Sequence, residues 1–349
     1  MYKNDLKPKR IAVLGAGAVG LSTAWEITER LRQSNVPSSV TVLADKFTTE
    51  TTSFGAAGIF RVTSLTPAAS VDELWKYCYD GWQEYDKIVK SPEASMAGVS
   101  CISGYQLFRE PQKLDSIIYK DIVYDFQVMK PHKLTFIPHC DEFVQAFRIT
   151  TVVVESRRYL PWLTSKLQNR GVKFEKRLLT SVDEISDNYD VIVNCTALGS
   201  MRLFNEKNMW PVRGQLIKVK APWMQHFLFD GTDTYIIPGI DHVSLGGFRQ
   251  ANDFNTQISA KDSLDIRKRC LELAPSLAAA TVDYEWVGLR PHRDMLRVDL
   301  DSLRTPSGRE IPLVYNIGHG ANGIGLSAGT AKRAASLAID SLHLPSSNL

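Results

Sequence analysis

The sequence predicts a mixed α/β protein, in which a discontinuous domain with a parallel sheet encloses an inserted domain of mainly antiparallel strands. Three observations support this fold class. Residues 10–31 have the pattern of a strand, a glycine-rich turn and a helix, and a second glycine-rich turn, at residues 318–325, opens the last helix. Between these units, residues 210–248 alternate short apolar runs with Pro-Gly and Gly-Gly turns, which is typical of antiparallel strands.

Length and composition narrow the class of protein. The chain has 349 residues, enough for about two domains. Its 41 basic and 38 acidic side chains leave a net charge of +3 without a long basic run, so nucleic acid is not an expected partner. The five cysteines are scattered and form no Cys-x-x-Cys pair, which favours reduced thiols in an intracellular compartment and no metal site. No apolar run reaches transmembrane length, so we expect no membrane partner.

The N-terminal unit predicts a dinucleotide site of the Rossmann type. The apolar run at residues 11–14 is typical of a buried parallel strand. The apolar residues of a second strand lie at 38–43, and the strand ends at Asp45. In the turn between strand and helix, Gly15 permits a tight bend, Gly17 lets the backbone approach a pyrophosphate, and Gly20 lets helix and strand pack closely. The helix N-terminus would hold the phosphates and Asp45 the ribose hydroxyls.

The other elements follow from periodicity and turn residues. We predict strands at 172–174, 191–194, 215–219, 234–237, 242–245 and 314–317, and helices at 159–167, 261–273 and about 328–342. Residues 61–141 show a mixed pattern. The expected first domain comprises residues 1–60, 142–205 and 286–349, and the inserted domain comprises 61–141 and 206–285.

The second glycine-rich turn bears on which dinucleotide is bound. A loop at residues 318–325 that opens a helix could bring backbone N–H groups to a flavin ring and stabilise negative charge there, which would favour FAD over NAD. An ordinary helix-entry turn explains the same residues equally well.

A series of motifs spread in order over nearly the whole chain resembles the D-amino-acid oxidase and D-aspartate oxidase family. The motifs are Ala44-Asp45-Lys46-Phe47, Thr51-Thr52-Ser53, Ala56-Ala57-Gly58, Ser103-Gly104-Tyr105-Gln106-Leu107-Phe108, Tyr159-Leu160-Pro161-Trp162-Leu163, Pro211-Val212-Arg213-Gly214-Gln215, Tyr235-Ile236-Ile237-Pro238-Gly239, Val287-Gly288-Leu289-Arg290-Pro291 and Gly318-His319-Gly320. The resemblance implies FAD as the cofactor, a Rossmann-like FAD-binding domain and an inserted substrate-binding domain.

The resemblance also implies roles for individual residues. The residues expected to line FAD are Gly15, Ala16, Gly17, Val19, Gly20, Asp45, Lys46, Thr51, Thr52, Ser53, Ala57, Gly58, Leu179 (through its backbone), Gly320, Ala321, Gly323, Ile324 and Gly325. Arg290 would bind the substrate α-carboxylate through a bidentate guanidinium fork, and Tyr235 would donate a hydrogen bond to it. His319 is expected to be structural, and His292 to be an exposed loop residue or to line the entrance.

The implied reaction is the oxidation of a D-amino acid. The substrate's α-hydrogen would leave as hydride to flavin N5, and the resulting imino acid would hydrolyse to a 2-oxo acid and ammonia. Molecular oxygen would then reoxidise the flavin and yield hydrogen peroxide. The geometry of carboxylate, amine and hydrogen would select the D-enantiomer, and no side-chain base is required.

The sequence favours an acidic substrate such as D-aspartate. Arg249 matches an arginine of the D-aspartate oxidases, where neutral-substrate oxidases have an apolar residue. Three departures weaken the match: Phe229 stands where D-aspartate oxidases have another arginine, Ala321 replaces a serine, and Gly325 replaces a hydroxyl residue. A D-amino-acid oxidase of neutral or broad specificity is therefore an alternative. A nicotinamide dehydrogenase and a flavoprotein without activity are further alternatives.

The C-terminal tripeptide Ser347-Asn348-Leu349 is similar to peroxisomal addresses of the Ser-Lys-Leu kind. It predicts an import receptor as a partner and the peroxisomal matrix as the location, with the cytoplasm as a second location. A reaction that makes hydrogen peroxide fits that compartment, because peroxisomes contain catalase.

Overall fold

The computed structural model describes residues 7–63, 68–231 and 233–342. The helices are α1 (Ala18–Gln33), α2 (Val71–Val89), α3 (Ala94–Ala97), α4 (Ser156–Asn169), α5 (Asp183–Ser186), α6 (Ser200–Leu203), α7 (Ala260–Leu273) and α8 (Gly323–Asp340). The strands are β1 (Lys9–Leu14), β2 (Ser38–Ala44), β3 (Val99–Phe108), β4 (Asp125–Met129), β5 (Gln145–Val154), β6 (Lys173–Lys176), β7 (Val191–Asn194), β8 (Met209–Lys220), β9 (Phe227–Asp230), β10 (Thr234–Pro238), β11 (Val243–Gly246), β12 (Gln250–Ala251), β13 (Thr281–Arg297), β14 (Leu300–Arg304), β15 (Glu310–Tyr315) and β16 (Ile317–His319).

A six-stranded sheet with the order β14-β15-β7-β1-β2-β6 forms one half of the architecture. Its strands pair in parallel, except for the antiparallel edge strand β14. Apolar residues cover both faces of β1: Ile11 and Val13 belong to one core with α1 and α8, whereas Ala12 and Leu14 pack with Ile185 on the other side. Burial on both faces explains why this strand is a continuous apolar run.

A ten-stranded, mainly antiparallel sheet forms the other half, with the order β16-β13-β8-β11-β10-β9-β3-β5-β4 and β12 beside β8. Among the described residues, β3 and β9 form the one parallel pair of this larger sheet. The prediction of a mixed α/β fold with a parallel and a mainly antiparallel part is thus confirmed. The division into two domains stays a prediction, and β5, β13 and β16 pair in the larger sheet although the predicted boundaries place most of their residues in the first domain.

The structure differs from the predicted elements in several places. Strands β5, β9, β13 and β14 lie where no strand was predicted. Residues 61–141, where the sequence pattern is mixed, contain α2, β3 and β4. The last helix begins at Gly323 rather than near residue 328, because glycines let its first turns pack closely on α2. A Cβ on Gly329 would lie 1.9 Å from the carbonyl oxygen of Tyr77, and the Tyr85 hydroxyl donates a hydrogen bond of 2.6 Å to the Ile324 carbonyl.

Within the described ranges, none of the helices combines the length and the apolar character that crossing a membrane would require.

Candidate active site

One cavity of about 660 Å³ connects the carboxyl ends of the parallel strands with the face of the larger sheet that carries β10 and β13. Gly15 follows β1, Asp45 follows β2, Cys195 follows β7 and Asn316 follows β15, and all four line it. Open α/β sheets bind ligands at this edge. All residues that the sequence nominates as cofactor or substrate ligands line the same cavity.

The first glycine-rich turn leaves no room for a side chain at Gly15 or at Gly20. Gly15 has a φ of +108°, and a Cβ there would lie 2.3 Å from the Cys195 carbonyl oxygen. A Cβ on Gly20 would lie 1.9 Å from the Gly15 carbonyl oxygen. α1 begins directly after Gly17, and the Ser53 hydroxyl accepts a hydrogen bond of 3.1 Å from the Ala18 amide. The turn and the helix start therefore form a cradle that fits a pyrophosphate.

The next part of the cavity suits the nucleoside of a dinucleotide. Asp45 and Lys46 stand at the end of β2, and Thr51, Thr52 and Ser53 follow on the adjoining loop. The loop is held on β6 by an ion pair of 2.7 Å between Lys176 Nζ and Glu50 Oε2.

Leu179 borders the same part of the cavity. Its carbonyl oxygen accepts a hydrogen bond of 2.9 Å from Arg202, so the backbone at this position has a defined orientation. The predicted involvement of Leu179 through its backbone is compatible with this arrangement.

The second glycine-rich turn lies between β15 of the smaller sheet and α8, and its first residues form β16 at the edge of the larger sheet. Gly318 and Gly320 have φ values of +92° and +52°, and Ala321, Gly323, Ile324 and Gly325 also line the cavity. His319 is buried, and its Nε2 lies 2.9 Å from Thr330 Oγ1. Burial lowers the pKa of His319 to about 3, which supports a structural role for this histidine.

His292 differs from one of the two interpretations of the sequence. It lies within β13 and outside the cavity, half-buried, with its ring 6.2 Å from the Trp210 ring. The interpretation as an exposed loop residue is therefore wrong, whereas a position at the entrance stays a prediction. Its ring fills the space beside Gly320, where a Cβ would lie 2.8 Å from it. Burial, with the charges of Arg290 and Arg249, lowers its pKa to about 4.

Arg290 extends from β13 over the backbone of the neighbouring strand. A Cβ on Gly214 would lie 2.2 Å from Nη1 of Arg290, so the glycine at this position of β8 makes room for the guanidinium. Nη1 donates a hydrogen bond of 2.8 Å to the carbonyl oxygen of Phe248. These contacts orient the guanidinium while it still borders the cavity, as a carboxylate-binding fork requires.

Tyr235 lies opposite Phe229 in the β9–β10 pair, with their ring centroids 5.8 Å apart. Its ring fits against Gly246 and Gly247, where added Cβ atoms would lie 2.2 and 2.7 Å from it. Burial raises the pKa of Tyr235, an effect that the nearby Arg290 opposes. The hydroxyl therefore remains a hydrogen-bond donor at neutral pH.

Arg249 is partly buried and already paired. Its Nε lies 3.1 Å from Asp233 Oδ1. Desolvation lowers the pKa of Arg249, the Asp233 charge opposes this shift, and the charges of Arg290 and Arg61 reinforce it. The structure thus brings Arg290, Tyr235 and Arg249 together at one end of the cavity.

Arg61, Asp233 and Trp286 are among the residues of this cavity that the sequence did not predict. Arg61 lies close to the motif Ala56-Ala57-Gly58, and Trp286 directly precedes the motif Val287-Gly288-Leu289-Arg290. This proximity to a motif is the one sequence signal that could have indicated a place in the site. The Trp286 ring packs on Gly55 and Gly288, where Cβ atoms would lie 2.0 and 1.9 Å from it. Asp233 carries no sequence signal, because its role follows from proximity to Arg249.

Comparisons with known proteins agree with this geometry. The sequence profile of the family described as FAD dependent oxidoreductase matches residues 10–337. The chain is 38% identical to human D-aspartate oxidase over 346 residues, which cover 97% of this chain and 99% of the human protein. It is 31% identical to D-aspartate oxidase 1 of Caenorhabditis elegans (96% and 98% covered) and 29% identical to a D-amino acid oxidase of Dugesia ryukyuensis (95% and 98% covered).

Solved structures show the same fold. Glycine oxidase from Geobacillus kaustophilus matches with a TM-score of 0.77 at 18% identity, covering 95% of each chain. Iminodiacetate oxidase from Chelativorans sp. BNC1 matches with a TM-score of 0.74 at 19% identity, covering 96% of this chain and 97% of the other.

Proposed function

The chain belongs to the FAD-dependent oxidoreductase family, with FAD as its cofactor, and from this premise we propose that it is a D-aspartate oxidase. It oxidises D-aspartate and other acidic D-amino acids to 2-oxo acids and ammonia, and it transfers the electrons to molecular oxygen, which yields hydrogen peroxide. The similarity to human D-aspartate oxidase over nearly the full length of both chains supports the proposal.

The observation that carries the proposal is the position of Arg290, Tyr235 and Arg249 at one end of the cavity that begins at the first glycine-rich turn. Arg290 and Tyr235 bind the α-carboxylate, the guanidinium as a charged fork and the phenol as a single donor. Arg249 attracts the carboxylate of the substrate side chain. These contacts fix two groups on the α-carbon, so that its hydrogen has one orientation and only the D-enantiomer reacts.

Bound FAD supplies the hydride acceptor. The protein residues orient the substrate amino acid, whose α-hydrogen leaves as hydride while the lone pair of the neutral amine forms the C=N bond. Water then hydrolyses the imino acid, and oxygen accepts the two electrons. No acid or base side chain is assigned a proton transfer, because the neutral amine provides the electron pair.

The untested parts of the assignment follow the same proposal. We propose residues 1–60, 142–205 and 286–349 as the FAD-binding domain and 61–141 and 206–285 as the substrate-binding domain. The cofactor residues identified from the sequence, all of which line the cavity, are proposed to bind FAD.

A broader D-amino-acid oxidase is the second candidate. Phe229 and Ala321 both line the cavity and place apolar surface where a purely acidic substrate would need polar groups. A neutral side chain could pack against the Phe229 ring.

The proposed location is the peroxisomal matrix, reached through recognition of Ser347-Asn348-Leu349 by an import receptor. This tripeptide lies outside the described residues. Deleting Leu349 from a fluorescent fusion should move the protein from peroxisomes to the cytoplasm, and unchanged peroxisomal targeting would exclude this signal.

Oxygen uptake by the purified, FAD-loaded protein tests the function. D-Asp and D-Glu should be oxidised with higher kcat/KM than D-Ala and D-Met, with hydrogen peroxide formed and L-Asp unreactive. Higher kcat/KM for D-Met would favour the broader oxidase. Turnover that depends on added NAD, or no turnover of any D-amino acid, would refute both assignments.

A further inference from the structure

Arg61 is a cation of this cavity that neither the sequence motifs nor the family resemblance assigns. It follows the first β-bridge after the Ala56-Ala57-Gly58 motif and lines the cavity together with Arg249 and Arg290. Its Nε is buried and has no hydrogen-bond partner, and its guanidinium faces the neutral hydroxyl of Tyr119, while none of the ion pairs among the described residues involves Arg61. A half-buried cation without a counter-charge raises the free energy of the folded protein. Binding of an anionic ligand beside it would offset that cost.

The guanidinium of Arg61 has a defined place. Its Cζ lies 4.1 Å from the centroid of the Phe229 ring, in cation–π contact. Phe229 in turn lies beside Tyr235, one of the two groups proposed to bind the α-carboxylate. Arg61 is also close to Arg249, because its charge contributes to the lowered pKa of that residue. The three side chains Arg61, Phe229 and Tyr235 therefore form a row along one wall.

The charges at this end of the cavity do not balance. Among the described residues, Arg61, Arg249 and Arg290 face a single carboxylate, Asp233, which is paired with Arg249. The other lining acids, Asp45 and Glu50, stand at the far end, beyond β2. Two positive charges thus remain, and a substrate with two carboxylates compensates both.

We propose that Arg61 is a specificity-determining residue, whose guanidinium binds the distal carboxylate of an acidic D-amino acid while the ring of Phe229 holds it in place. The inference rests on the proposed D-aspartate oxidation. It also gives Phe229 a function: the sequence lacks an arginine at this position, and Phe229 instead supports an arginine that comes from residue 61. Arg249, already paired with Asp233, contributes less charge to the same carboxylate.

Ligand binding without turnover tests the proposal. Succinate has two carboxylates on four carbons, whereas butyrate has the same length and one carboxylate. Both are titrated into the FAD-loaded parent, Arg61→Leu and Arg61→Lys by calorimetry. Arg61→Leu should weaken succinate binding about 10- to 100-fold, the loss expected for a charge-assisted hydrogen bond, and leave butyrate binding nearly unchanged. Arg61→Lys should retain part of the succinate affinity. In turnover, kcat/KM should fall for D-Asp but not for D-Ala.

A matched control is Arg148→Leu, which removes an arginine of β5 that is paired with Asp125 outside the cavity. It should alter neither ligand. Equal losses of succinate and butyrate affinity in Arg61→Leu, or no loss of either, would overturn the proposal. If the parent itself binds succinate no better than butyrate and does not oxidise D-Asp, the proposed function fails first. A parent that prefers succinate and a variant that keeps this preference would refute the role of Arg61 alone.

Discussion

Asp233 Oδ1 lies 3.1 Å from Arg249 Nε, so the cation that the sequence assigns to an acidic substrate side chain already has a carboxylate partner. Asp233 is 56% exposed, and the pair is therefore partly screened by solvent. This partner compensates part of the positive charge of Arg249. If Arg249 binds the substrate side chain as proposed, the pair should lower the affinity for an anionic side chain.

Removing the partner should strengthen the interaction with acidic substrates. We expect Asp233→Asn to lower KM for D-Asp about two- to fivefold, the value of a partly exposed ion pair, with little effect on D-Ala. Arg249→Leu should raise KM for D-Asp about 3- to 10-fold, less than the loss expected for Arg61→Leu, because Asp233 already compensates part of the charge of Arg249. Steady-state oxygen uptake measures both. An Arg249→Leu variant with an unchanged ratio of D-Asp to D-Ala efficiency would show that this side chain does not contact the substrate's side-chain carboxylate.

Arg290 should matter for every substrate, because each carries an α-carboxylate. Arg290→Leu is expected to lower kcat/KM for D-Asp and D-Ala alike by about 100-fold or more, and Arg290→Lys should recover little, since an ammonium cannot form the same fork. Arg304→Leu, at an exposed position of β14, is the control and should behave like the parent. A loss restricted to D-Asp would assign Arg290 to the side chain instead.

The hydroxyl of Tyr235 can be removed without disturbing its ring. Tyr235→Phe keeps the contacts with Phe229 and Gly246, so the melting temperature should not change. KM should rise about 3- to 10-fold through the lost hydrogen bond. Because burial raises the pKa of Tyr235, the parent should keep its substrate affinity up to pH 10, and a parent KM that rises around pH 9 would contradict this assignment.

Gly20 should be essential for holding FAD. In Gly20→Ala, the added methyl group would lie 1.9 Å from the Gly15 carbonyl oxygen, and the turn must move away from the pyrophosphate position. We expect purified Gly20→Ala to have a lower ratio of flavin absorbance to protein absorbance and a weaker FAD affinity on titration. Gly308→Asn is a suitable control, because nothing lies within 4 Å of that position and asparagine tolerates its φ of +85°. Full FAD content in Gly20→Ala would refute the cradle.

His319 should make the fold sensitive to acid. Its folded pKa of about 3 lies below the ordinary value of 6.5, so the unfolded chain binds more protons between these values. The contribution of His319 is fully present above pH 6.5 and is lost as pH falls toward 3. We expect the melting temperature to drop between pH 7 and pH 5, and less so in His319→Gln. His132→Gln, at an exposed position, should keep the parent's pH dependence. An equal drop in His319→Gln and the parent would assign the acid sensitivity to other groups.

Local sequence patterns were sufficient to predict the parallel strands and the two glycine-rich turns. Apolar runs such as residues 11–14 and 191–193 could be recognised from the sequence, because a strand that is buried on both faces has apolar side chains at successive positions. The roles of Gly15 and Gly20 could be predicted from the sequence, because close backbone contacts at these positions leave no space for a side chain. Arg290 and Tyr235 were proposed because each belongs to a motif that the chain shares with a family, and Arg249 was proposed because it matches an arginine of the D-aspartate oxidases.

The pairings within the substrate end could not be obtained in that way. Arg61 meets Phe229, and Arg249 meets Asp233, through contacts between segments whose proximity depends on how β9, β10 and β11 align in the larger sheet. Helix α2 and strands β3 and β4 were likewise not predicted, because the apolar residues of 61–141 follow no single periodicity. A local sequence pattern shows which face of a helix or strand is buried. The partner of a charged side chain depends on strand register and on the packing of distant segments, and a local pattern contains no information about either.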